Sequence, residues 1–266
     1  MYLYKRVKTK HRDFITKTKC FYYNLDTVRK KRGVRTIKTS LSKQERNERA
    51  AYLHRKYLIY NNFDINDMWV TLTWKQDKLP DEPEQAHRIL MNVLSNIRKK
   101  LARAGKPFIY FIKTEAGERQ RVHHHLFIRN NFEVVSVLYD YWGEYGNVRD
   151  FRKIYSFNDG RLVTYFLDGG EHKGLNYEKY SHSRNMREPE IEKRVEHHAS
   201  FRENPKPPKS DEGEEYIIQN LYNGFPDIDG YAYQEYEVVK VSNKKDSTEP
   251  LHRKAKTSPK ESRKRE

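Results

Sequence analysis

Two histidines stand at alternating positions, His123 and His125, within the run RVHHHLFI (121–128). In an extended strand, residues two apart project from the same face. His123 and His125 therefore point together, while His124 points the other way with Val122, Leu126 and Ile128. The apolar set marks the face that meets the core, so the outer pair faces where a ligand can reach it. A second extended run, PFIYFIKTE (107–115), ends at Glu115. If the polar residues 116–121 close a hairpin between the two runs, the Glu115 carboxylate arrives beside His123. Two imidazoles and a carboxylate make a mixed nitrogen and oxygen site. It suits a divalent metal ion, Mg2+ or Mn2+, and leaves positions open for phosphate oxygens. A cation held there would polarise a phosphoryl group as a Lewis acid. The alternative for the same residues is a hydrogen-bonded histidine cluster at the surface, with no metal.

The elements that must position these residues are legible in the pattern. MWVTLTW (68–74) is β-branched and aromatic and reads as a strand, with Val70, Leu72 and Trp74 on one face and Trp69, Thr71 and Thr73 on the other. Residues 83–104 repeat apolar side chains at helical spacing (Ala86, Leu90, Val93, Leu94, Ile97, Leu101), with Pro83 in the first turn and Gly105 at the end. Residues 133–142 and 161–168 are expected as helices and 147–155 and 231–241 as strands. Upstream, SLSKQERNERAAYLHRKYLIYNNF reads as a helix capped by Ser42, with Glu45 completing a capping box. A helix between strands, then a hairpin, then more helix and strand gives an α+β fold. Its antiparallel central sheet is expected to carry helices on one face and leave the other open to a substrate. The expected divisions are a basic, partly helical segment (1–60), a main domain (61–190), an extension with a possible strand (191–241) and a basic, disordered tail (242–266).

Composition points to a polyanionic partner. The chain carries 53 Lys and Arg against 37 Asp and Glu, a formal charge of +16, and 20 tyrosines on which bases can stack. Arg121, Arg129, Arg149, Lys179 and Arg184 flank the histidine run and the segments after it, and are the candidate phosphate contacts. A single cysteine, Cys20, rules out an internal disulfide framework and a cysteine-cage zinc site. No apolar run is long enough to span a membrane, and a cytoplasmic location is the expectation. No GxxxxGK[ST] pattern is present, so any helicase must be a separate partner.

Taken in order, WVTLTW (69–74), Glu115, RVHHHLFI (121–128), YWGEYGNV (141–148), LVTYFLD (162–168) and YSHSRN (180–185) resemble the rolling-circle replication initiators of the HUH endonuclease superfamily, replication-associated proteins of plasmids and phages. The likeness covers roughly residues 45–190. It implies an RRM-like (ferredoxin-like) sheet with the two histidines on a central strand, and Glu115 as third metal ligand. It also implies nicking of single-stranded DNA at a replication origin in a bacterial host, with host helicase and polymerase as partners. In such proteins a helical tyrosine joins the 5′ phosphate and frees a 3′ hydroxyl that primes synthesis. The matching residue here is Tyr165, with Tyr177 and Tyr180 as rivals. Relatives carry a lysine three or four residues after the tyrosine. Asp168 stands there instead, and Lys173 is the next cation along the chain. The other readings are an HUH transposase or relaxase, and a basic nucleic-acid-binding protein without catalysis.

Overall fold

The computed structural model describes residues 2–19, 41–117, 120–158, 160–168, 175–196, 205–206, 215–224 and 233–241. In chain order the elements are β1 (Tyr2–Lys8), β2 (Arg12–Lys19), α1 (Leu41–Asn62), β3 (Met68–Trp74), α2 (Pro83–Arg103), β4 (Tyr110–Gly117), β5 (Gln120–Ile128), α3 (Phe132–Trp142), β6 (Gly146–Lys153), α4 (Arg161–Asp168), β7 (Leu175–His182), β8 (Glu190–Glu196), β9 (Glu215–Gly224) and β10 (Tyr233–Val241). The fold is α+β, with two antiparallel five-stranded sheets. One runs β6-β3-β5-β4-β7 and places the histidine strand β5 at its centre; the other runs β8-β1-β2-β10-β9.

The central sheet is anchored through one face. Val70, Leu72 and Trp74 of β3 and Leu126 and Ile128 of β5 pack beneath Leu90, Leu94 and Ile97 of α2 and Val134, Leu138 and Trp142 of α3. Each such fully buried aliphatic is worth about 1.5–3 kcal/mol, so this layer fixes β5 and with it the histidines. Gly105, at φ +68°, ends α2 in the left-handed conformation that glycine adopts freely. The Asn131 side chain caps α3, accepting from the backbone N–H groups of Glu133 and Val134.

The segment YWGEYGNV closes this sheet on its β6 side. Gly146 pairs with Trp74, and a Cβ at position 146 would lie 1.8 Å from the Thr73 carbonyl oxygen. Only glycine allows so close an approach of two backbones. Gly146→Ala is therefore expected to lower stability by about 2 kcal/mol or more, read as a drop in the urea midpoint. An unchanged midpoint would show that β6 does not pair this way.

The opposite face differs from the expected open surface. Its Phe111 and Phe127 end is covered by Tyr57, Tyr60 and Phe63 of α1 and by Val163 and Phe166 of α4. Among the described residues, cavities open at the end carrying Thr73, Glu115 and His123 and along the β3–β6 side at Trp69 and Thr71. The amphipathic stretch 161–168 requires this cover, because Val163, Phe166 and Leu167 fall on one side of a short helix. The helix α1 is described from Leu41 onward, and the side chains of the expected cap, Ser42 and Glu45, lie outside the described residues.

The segments expected as 1–60 and 191–241 meet in the second sheet, where β1 pairs with β8 and β2 with β10. The tail 242–266 lies outside the described residues. Where this sheet meets α1, three charges are buried together: Glu237 of β10 lies between Arg12 of β2 and Lys56 of α1, with Lys56 Nζ at 2.6 Å. Arg12 also donates to the Phe157 and Asn158 carbonyls just ahead of α4, and its guanidinium stacks 4.3 Å from the Tyr60 ring centre. Burial pushes the Glu237 carboxyl up, but the Lys56 and Arg12 charges outweigh it and hold its pKa below the usual value. Its stabilisation is thus present above about pH 4.5 and is lost as pH falls through the depressed value. Glu237→Gln would leave two cations buried without their anion. A loss of about 3–5 kcal/mol is expected at pH 7, measured by urea unfolding; an unchanged midpoint would refute the buried cluster.

Candidate metal centre and the cavity around it

β4 and β5 pair in the register Glu115↔His123 and Lys113↔His125. The pleat therefore places all four side chains on one face. Glu115 Oε1 accepts from both histidines, lying 2.9 Å from His123 Nε2 and 3.1 Å from His125 Nε2. One ligand atom from each of the three residues falls within 4.8 Å of the other two. The histidine side chains keep 18% and 17% of their surface exposed, against 8% for Glu115. The carboxylate is thus recessed below two reachable imidazoles.

The outer shell is compatible with metal ligation through Nε2, which requires the ring proton on Nδ1. His123 Nδ1 lies 2.9 Å from the Arg121 carbonyl oxygen, which accepts that proton. His125 Nδ1 lies 3.0 Å from Thr71 Oγ1, which can do the same; the Trp69 indole N–H, at 3.4 Å, serves the other tautomer. The donor set, its spacing and the oxygen acceptors behind both rings fit a divalent cation.

Electrostatics favour the charged carboxylate. Burial pushes the Glu115 carboxyl up, but hydrogen bonds from His123, His125 and Lys113 and the Lys113 charge hold it well below the usual carboxylate range. Burial lowers the His123 imidazole, yet its bonds to Glu115 and Arg121 outweigh that and raise its pKa above 6.5. Lys113 is fully buried, with Nζ 2.6 Å from Glu115 Oε2 and 3.0 Å from Glu178 Oε1. Sequence reading passed over Lys113. The signal was a lone lysine in the apolar run FIYFIKTE, two residues before Glu115 and so on its face.

His124 meets the core, as its alternation requires, and its burial keeps the ring neutral. Trp74 Nε1–H donates to its Nε2 at 3.1 Å, so its proton sits on Nδ1, 2.8 Å from Thr114 Oγ1. Thr114 Oγ1 lies 2.8 Å from His87 Nδ1, and His87 Nε2 lies 3.1 Å from Ser181 Oγ. This hydrogen-bonded chain ties the back of β5 to α2 and β7.

The three candidate ligands open into a cavity of about 470 Å3 whose wall includes Lys113, Arg121, Arg149 and Tyr165. Tyr165 lies on the outer side of α4, 51% exposed, its ring 5.6 Å from that of Trp69. Trp69 in turn meets His125 edge-on at 5.7 Å.

Residues 67–168 match the family described as replication-associated protein ORF2. The matched stretch covers less than half of the chain and agrees with a rolling-circle replication initiator. It runs from β3 through α4, so it holds the three candidate ligands and Tyr165 and leaves out β7 and the second sheet. No curated protein and no solved structure matches significantly.

The other expected residues divide by position relative to this family-matched stretch and its cavity. Arg121 and Arg149 line the cavity. Arg129 does not: it follows the far end of β5 and pairs with Asp64 and Asp67 at 3.1 and 3.5 Å. Lys179 and Tyr177 sit on the opposite face of the sheet, both bonded to Glu84 of α2. Arg184 is exposed in the turn after β7 and is not part of the cavity wall. Lys173 lies outside the described residues. Tyr180 shares the site face, but its hydroxyl donates to the Leu167 carbonyl at 2.6 Å and its ring lies under Arg55 at 4.1 Å. Burial, reinforced by Glu178, drives its pKa far up. Asp168 accepts from the Tyr52 hydroxyl at 3.4 Å. Among the described lining residues the lysine is Lys113 of β4, its ammonium buried between Glu115 and Glu178.

Proposed function

We propose that this protein is a replication initiator that cuts single-stranded DNA at an origin and becomes joined to the new 5′ end. The observation that carries the reading is the convergence of Glu115, His123, His125 and Tyr165 on one basic cavity within the family-matched stretch. In the proposed reaction the Tyr165 phenolic oxygen attacks the scissile phosphorus, its proton passing to solvent. The P–O3′ bond breaks, and the released 3′ oxygen takes up a proton to become the primer hydroxyl. A divalent cation on Glu115, His123 and His125, Mg2+ or Mn2+, would supply Lewis acidity to the phosphoryl oxygens. Arg121 and Arg149 hold the backbone phosphates, and Lys113 fixes the Glu115 carboxylate in place.

A phenol suits this role because its pKa of about 10 makes it a better leaving group than an alkyl alcohol. The protein–DNA bond can therefore be reversed by a 3′ hydroxyl, which closes the strand. Unwinding and synthesis then fall to a host helicase and polymerase. Among the described residues no helix is long and apolar enough to cross a membrane.

The test is incubation with labelled single strands of the replicon that encodes the protein, with Mn2+ or with a chelator. A detergent-stable, metal-dependent adduct is expected, with the label on the 3′ portion of the cut strand. Cleavage without adduct would make the protein a simple hydrolase, and binding alone would make it a non-catalytic DNA-binding protein.

A further inference from the structure

A second cavity, of about 640 Å3, adjoins the first. The two share Trp69, Thr71, His125, Asp150 and Tyr165 as a common wall. Its size lies within the range of small-ligand sites. Two features of its lining call for an explanation. Tyr155 is 68% exposed and lines the same cavity as the half-exposed Tyr165. Around it stand Arg152, Lys153 and Arg161, with Asp150 the only acidic residue among the described lining side chains. Asp150 lies 3.3 Å from Arg152, so the described lining carries three cationic side chains and one acidic one.

Exposed aromatic rings inside a cationic rim match one ligand chemistry closely. A nucleobase covers the rings, and the phosphates beside it meet the cations. We propose that this cavity holds one unpaired nucleotide of the DNA strand next to the scissile phosphate, its base stacked on Tyr155. This rests on the nicking reading for the adjacent cavity and adds to it a subsite. The two cavities lie side by side across this shared wall, so a strand whose phosphate reaches Tyr165 and the candidate ligands can lay a neighbouring nucleotide in the second cavity. A paired base cannot enter in this way, which confines the site to single strands. The nucleotide's identity then becomes a source of sequence preference beside the cut. Tyr155 follows β6, outside the strands that carry the candidate ligands, so it can vary without disturbing them.

The experiment uses the full chain and a fluorescent oligothymidylate, with binding read by anisotropy in Mn2+. Tyr155→Ala is expected to weaken binding by about tenfold, the worth of one stacked base, with Mn2+ affinity unchanged. A parallel wild-type sample is photocrosslinked to the same oligonucleotide carrying 5-iododeoxyuridine, and the adducted peptides are mapped. Crosslinks at Trp69 or Tyr155 are expected, and none with a duplex of the same sequence. Unchanged affinity in Tyr155→Ala, or crosslinks confined to other regions, would overturn the subsite. These readouts need no cutting. If the origin-strand adduct forms but Tyr155 is indifferent, the subsite fails alone. If Tyr155 is required and no adduct ever forms, the nicking reading fails and the cavity stands as a nucleotide site.

Discussion

Tyr165→Phe will form no covalent adduct with DNA, while binding Mn2+ and single strands like the wild type. The substitution removes one oxygen and keeps the ring. The ring's contact with Trp69, at 5.6 Å between centres, is retained. Because the side chain is half exposed, stability should change by no more than about 0.5 kcal/mol. Loss of the adduct therefore reports loss of the nucleophile rather than unfolding. The rival tyrosines make the comparison sharp. Tyr177→Phe removes a hydroxyl bonded to Glu84 on the far face of the sheet, and adduct formation should be unaffected. Tyr180→Phe removes the donor to the Leu167 carbonyl at the end of α4. Losing one such bond costs about 1 kcal/mol, so the helix loosens and the adduct yield falls by less than about tenfold. An adduct that persists in Tyr165→Phe, or one that vanishes only in Tyr180→Phe, would reassign the nucleophile.

The parts of this arrangement that could be read from the sequence are those whose determinants are local. β3 falls on the stretch 68–74 because β-branched and aromatic residues alternate there between two turns. The helix at 83–103 is fixed by its apolar spacing and by Gly105. The outward direction of His123 and His125 follows from the period of a strand alone. Residues that were missed are held by distant partners. β1 and β2 are rich in Lys and Arg; they pair with each other as a hairpin, and β8 and β10 from the other end of the chain extend that pair into a sheet. Lys113, Arg12 and Lys56 are buried only because Glu115, Glu178 and Glu237 meet them through the fold. A lone basic residue in a sequence is ordinarily a solvated one, so nothing local marks Arg12 and Lys56, and the mark on Lys113 is confined to its apolar run and to Glu115 two residues on. The same logic explains Lys179 and Arg129. Both were sensible phosphate contacts by their place in the sequence. Pleat direction turns Lys179 toward Glu84, and strand length carries Arg129 to Asp64 and Asp67.

Mn2+ binding should weaken as pH falls, and the slope identifies the ligands. An imidazole must be neutral to coordinate. Since the pKa of His123 is raised above 6.5, proton competition begins above that value rather than below it. Below the pKa of a ligating imidazole, each pH unit costs about tenfold in apparent affinity for each imidazole proton displaced. Glu115 adds no slope between pH 5 and 8, because its carboxyl stays ionised throughout. His125→Ala and Glu115→Ala each remove a ligand and should abolish measurable binding in calorimetry. The metal-free protein runs in the opposite sense. The stabilisation that His123 gains from Glu115 is fully present below its unfolded pKa of about 6.5 and is lost as pH rises through the raised folded value. A bound cation stabilises by an amount set by its concentration relative to Kd. The rise in melting temperature on adding Mn2+ should therefore be large at pH 8 and shrink toward zero near pH 5. A Mn2+ shift of equal size at both pH values would mean that the cation does not sit on the imidazoles, and the three-residue centre would have to be abandoned.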